Sequence, residues 1–109
     1  MSAPTMSGLS AAVTVLASFV VRFPDLPAVD VHVSTVFPDQ VELSAHDDLA
    51  VFEAWREALG IDPGAVVHKV QSGGATRVLD AQAVFTGVRL RLVGYSVIPA
   101  PVAGLGVAS

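Results

Sequence analysis

The 109-residue sequence predicts an α+β domain with the element order α-β-β-α-β-β-β. Three features carry this: one sharp amphipathic helix, several stretches alternating apolar and polar residues with period two, and turns rich in proline or glycine between them. The expected architecture is an antiparallel five-stranded sheet with two helices on one face, leaving the other face to water or a partner. Residues 9–98 form the single domain, preceded by a loose N-terminus at residues 1–8 and followed by a C-terminal arm at residues 99–109.

Residues 9–23 are almost unbroken apolar sequence with no charged side chain before Arg22. A buried helix capped near Ser7 or Ser10 and ended by Pro24 fits this run, with a strand as the alternative because of its β-branched content. It is too short for a bilayer, which needs ~20 residues, and lacks the basic start and small-residue cleavage site of a secretory signal. After the turn at Phe23-Pro24-Asp25-Leu26-Pro27, Val29, Val31 and Val33 alternate with Asp30, His32 and Ser34. Phe37-Pro38-Asp39-Gln40 turns the chain, and Val41, Leu43 and Ala45 alternate with Glu42, Ser44 and His46, which predicts a hairpin.

The second helix is the most legible element. Asp47 or Asp48 offers an N-cap oxygen, Leu49, Phe52, Trp55 and Leu59 recur at helical spacing, and Gly60 stands where a left-handed residue ends a helix. Glu53 and Arg56 fall on the opposite side. Beyond the Ile61-Asp62-Pro63-Gly64 turn, residues 65–71 and 76–85 read as strands joined by Ser72-Gly73-Gly74-Ala75. Thr86-Gly87 precedes a last strand, where Val88, Leu90 and Leu92 alternate with Arg89 and Arg91, running to about Ile98.

A shift of 36 residues superposes Phe19 on Trp55, Pro27 on Pro63, Val31 on Val67, His32 on His68 and Leu43 on Leu79. The match suggests an internal αββ repeat, with chance similarity in an Ala/Val-rich chain as the equal alternative.

Composition narrows function by exclusion. A net charge of −4 with only six basic residues argues against a nucleic-acid surface. The chain has no cysteine, which fits a cytoplasmic protein without disulfides or thiolate metal sites. Charged residues make up 15 % of the chain, where ~25 % is usual. In so small a domain the surplus apolar side chains cannot all be hidden, so some are expected to face another protein chain.

The chemistry-bearing residues are few. His32, His46 and His68 lack the short spacings of a metal site, so no metal or cofactor is expected, and they stand as candidate ligand-binding handles. Gln71-Ser72-Gly73-Gly74 has no following Lys-Ser/Thr and is a turn, not a phosphate loop. No nucleophile elbow or acid–base constellation is legible, so catalysis is not expected. If the helices cover Leu90 and Leu92, then Val93, Tyr95 and Val97 lie on the outer face and, with Arg89 and Arg91, form the candidate interface.

The segment Phe52-x-x-Trp55-x-x-Ala58-Leu59-Gly60, preceded by the Pro24/Pro27 turn and two alternating strands, resembles small uncharacterised proteins of GC-rich actinobacterial genomes. The bias of 20 valines to 2 isoleucines and 5 arginines to 1 lysine fits such a genome. The resemblance carries no functional motif. The element order is also similar to that of roadblock-type domains, dimeric scaffolds of order α-β-β-α-β-β-β-α, although this chain has no evident final helix.

The function expected is a noncatalytic association module that binds itself or another protein through the uncovered sheet face and its arms. A small-molecule or metal-binding domain with a pocket between helices and sheet is the alternative, and no nucleic-acid or membrane partner is expected.

Overall fold

The computed structural model describes residues 3–98, the side chain of Ser72 apart. Its elements are α1 (Ser10–Arg22), β1 (Asp30–His32), β2 (Gln40–His46), α2 (Leu49–Ala58), β3 (Val67–Gln71), β4 (Thr76–Phe85) and β5 (Val88–Val97). The α+β class and the element order match those read from the sequence. The C-terminal arm at residues 99–109 lies outside the described residues.

Both helices end where local chemistry directs. Asp48 Oδ1 accepts a hydrogen bond from Ala50 N–H at 2.9 Å, capping α2, and Gly60 follows the helix with φ of 71°. The start of α1 departs from expectation. Neither Ser7 nor Ser10 caps it; a 3-10 turn at Met6–Leu9 runs directly into the helix, so its backbone is already wound and Leu9 takes the N-cap position without a side-chain bond. Thr86 and Gly87, both at positive φ (47° and 81°), make the tight two-residue turn that right-twisted hairpin strands require.

The sheet order is β1-β2-β5-β4-β3, and one pairing corrects the antiparallel expectation. β2 and β5 run parallel, with Val41 opposite Leu90 and Leu43 opposite Leu92, while the other three pairings are antiparallel. The reason is the direction of the connections. α2 carries the chain back along the sheet, so β3 runs the same way as β2, and two further reversals leave β5 running that way too.

Both helices pack on one face. Ala12, Val15 and Phe19 of α1 and Phe52 and Trp55 of α2 close over Val41 and Leu43 of β2, Ala81 of β4 and Val88, Leu90 and Leu92 of β5. Phe19 and Phe52 are fully buried, and each such side chain contributes roughly 1.5–3 kcal/mol on leaving water. Phe52 sits so close to β5 that a Cβ on Gly94 would lie 2.9 Å from its ring. Arg56, expected on the wet side of α2, is buried instead: it ties the helix to the following turn by donating to the Ile61 carbonyl and pairs with Glu53.

The 36-residue spacing recurs in the elements. α1 ends at Arg22 and α2 at Ala58, and β2 begins at Gln40 and β4 at Thr76. Strand register does not recur. Val31 faces Leu43 across β1–β2, whereas Val67 faces Asp80, not Leu79, across β3–β4. That slip of one residue turns His32 and His68 to opposite faces of the sheet.

Candidate functional site

Two surfaces merit attention, and the first is the sheet face that the helices leave free. Arg89, Arg91, Val93, Tyr95 and Val97 share it, as their alternation with the core residues Leu90 and Leu92 dictates. Val93 and Val78 are buried on this face although they belong to no part of the core under the helices. At its centre Arg91 bridges two strands: its Nη2 donates to Asp80 Oδ2 at 2.8 Å and its Nη1 to Glu42 Oε1 at 2.7 Å. The hydrogen bond to Asp80, ahead of that to Glu42, raises the guanidinium above its ordinary value against the opposing effect of burial. Asp80 itself is buried, and its Oδ1 has no hydrogen-bond partner among the described residues.

His46 closes one end of this face. Its ring stacks on Tyr95 at 5.1 Å between centroids and 9° between planes, and its Nε2 lies 3.4 Å from Asp30 Oδ2. A candidate ligand handle and a candidate interface residue therefore form one cluster. The three histidines do not. β1 and β3 are the two edges of a five-stranded sheet, so His32 and His68 stand roughly 19 Å apart by strand spacing alone, on opposite faces. Among the described residues no group of three His, Cys, Asp or Glu is arranged to hold a metal ion.

The second surface is an apolar groove of about 280 Å³ between α1, the segment joining it to β1, and the sheet. Leu16, Val20, Phe23, Leu26, Val31 and Trp55 line it, and none of the three histidines does. Trp55 is fixed there by donating Nε1–H to the Pro27 carbonyl at 2.7 Å, and the Phe19, Phe23 and Trp55 rings meet edge-on or tilted about 6 Å apart. The outer side of α1 continues the apolar surface, with Val20 and Val21 exposed at 68 % and 80 %. No helix among the described residues is long and apolar enough to cross a membrane.

Comparison with protein-family models, curated proteins and solved structures finds no match. Function therefore rests on these two surfaces.

Sequence reasoning missed the partners of Arg91 and the groove. Glu42 and Asp80 are legible as wet-face residues from strand alternation, but nothing local says that β2 and β4 flank β5. Residues 23–27 read as a turn and Val29 as part of the strand that follows, although the two prolines and Leu26 signal a rigid apolar wall.

Proposed function

We propose that the chain is a noncatalytic association module, forming a homo-oligomer through the uncovered sheet face. The observation that carries this is that the helices cover one face of β2, of β5 and of part of β4, while no helix among the described residues covers the other face, where Val67, Val84 and Val97 stand more than half exposed. Exposed valines and Tyr95 set around the central Glu42–Arg91–Asp80 ion pairs combine apolar area with the tyrosine and arginine enriched at interfaces. The element order similar to roadblock-type scaffolds points the same way as an analogy of fold. The binding-domain reading ranks second, because the groove offers a ligand no histidine and no free polar side chain to fix its orientation.

Size-exclusion chromatography with light scattering at micromolar concentration tests the reading. The wild-type chain is expected as a dimer or larger species. Val97→Asp and Tyr95→Asp are expected to convert it to monomer, with Val97→Asp leaving the melting temperature unchanged because that side chain is 65 % exposed. A monomeric wild-type chain would end the proposal.

A further inference from the structure

We propose that the free sheet face carries a small-molecule site beside β1, a pocket that takes a guanidinium group on a short aliphatic stem. The pocket has a volume of about 370 Å³ and is lined by His32, Ser34, Phe37, Gln40, Glu42 and Arg91 among others. That is near the lower end of the ~300–1,000 Å³ usual for ligand sites. Unlike the apolar groove, it combines an aromatic wall with several polar side chains, one of them a histidine.

Strand register lays its floor. His32 of β1 stands opposite Glu42 of β2, and Glu42 opposite Arg91 of β5, so imidazole, carboxylate and guanidinium follow one another at roughly 4.8 Å from strand to strand. The wall is the segment between β1 and β2, which its own bonds shape. Ser34 Oγ accepts from Val36 N–H at 3.0 Å, and the Phe37 carbonyl accepts from Gln40 N–H at 3.1 Å. Phe37 is 58 % exposed in that turn, so its ring is available to a ligand.

Charge selects the ligand. Arg91 gives two of its hydrogen bonds to Asp80 Oδ2 and one to Glu42 Oε1, so one guanidinium serves two carboxylates and the cluster holds one negative charge in excess. Lys69, which lines a separate depression with Asp80, makes no ion pair with it among the described residues. Beyond Phe37 and Gln40 a neighbouring depression holds Arg89 and Asp39, whose opposite charges leave the balance unchanged. The Glu42 side chain is only 23 % exposed, and among the described residues its Oε2, the Gln40 carboxamide and the His32 ring have no hydrogen-bond partner. An anion would be repelled there, and a neutral molecule would leave the excess charge unanswered. A cationic N–H donor meets Glu42 Oε2 in a charge-assisted bond, and the face of the Phe37 ring attracts the same charge. The Gln40 oxygen and a neutral imidazole accept further N–H groups, which suits the planar, many-donor guanidinium.

The test titrates the nitrogen-15-labelled full chain with butylguanidinium at neutral pH and follows the NMR signals of the backbone amides and the Gln40 carboxamide. Saturable binding in the range of roughly 1–10 mM is expected, with the shifts centred on residues 32–42 and 91. Butyramide and butyrate, the neutral and anionic controls, should bind at least about ten-fold more weakly. Glu42→Gln, which keeps an acceptor for Arg91 but removes the excess charge, should weaken butylguanidinium about ten-fold. Phe37→Leu, at an exposed position that a folding defect cannot easily explain, should weaken it about two- to five-fold. A blocked arginyl tripeptide is expected to bind no better than butylguanidinium, and tighter binding of the peptide would overturn the assignment to a small molecule. Butyrate or butyramide binding equally well, shifts scattered over other acidic positions, or no effect of Glu42→Gln would each overturn the proposal. Light scattering on the same samples keeps the association reading apart: a monomeric chain that binds leaves the site standing, and an oligomer that does not bind refutes it.

Discussion

The two faces of the sheet are built from alternate residues of the same strands, yet different physics holds each. Along β5, Leu90, Leu92 and Gly94 point to the helices, where fit decides: Phe52 occupies the space a Cβ at position 94 would need. The intervening Arg91 points the other way, where opposite charges decide, with Glu42 on one side and Asp80 on the other. Among the described residues only the first face is closed by a second layer. The contrast teaches that the covered face specifies the fold, while the free face can change its surface chemistry without dismantling the core.

The comparison is broken most directly on the covered side. Phe52→Ala removes a fully buried ring wedged against Gly94, and a loss of about 3–5 kcal/mol in unfolding free energy is expected from urea denaturation. A loss below about 1 kcal/mol would mean that shape does not dominate that face.

On the free side Arg91→Ala strands the Asp80 carboxylate, whose side chain is only 9 % exposed. The expected cost is about 2 kcal/mol, below the ~3–5 kcal/mol of a fully buried pair, because the outer part of Arg91 and Glu42 remain in water. Asp80→Asn in the same background should recover part of that loss; no recovery would show that the guanidinium acts through packing alone.

The smallest effect concerns acid. Glu53 sits below its ordinary value of 4.5, first because Arg56 donates hydrogen bonds to its carboxylate; burial opposes this, and the neighbouring positive charge adds a lesser lowering. A carboxyl depressed on folding contributes stability that is complete above 4.5 and fades as pH falls through the folded value. Glu53→Gln should therefore flatten the decline in melting temperature below that pH and leave neutral-pH behaviour almost unchanged. Equal acid sensitivity in the variant would remove Glu53 from the account.

Much of this was legible beforehand. The glycine-bearing turns on either side place β4 at residues 76–85, as found. The outer position of Val93, Tyr95 and Val97 followed from period two once Leu90 and Leu92 were assigned inward. The alternation from Val29 to Ser34 predicts a longer β1 than the three residues found; as an edge strand with one neighbour and exposed residues it has little to extend it. The supposed equivalence of His32 and His68 failed for a stricter reason, since a register slip of one residue leaves the sequence similarity intact and reverses the side chain.

The sequence by itself determined the two helices, the strands and the two-sided character of the sheet, because these depend on periods of two and 3.6 residues and on turns of a few residues. Tertiary structure alone decided that β5 inserts between β2 and β4, that it runs parallel to β2, and that Arg91 therefore meets Glu42 and Asp80 from 49 and 11 residues away. It also decided that the 23–29 segment, α1 and Trp55 enclose a groove. Pairings of this kind are selected by how distant surfaces fit after the chain closes on itself, and no local pattern encodes which fit wins.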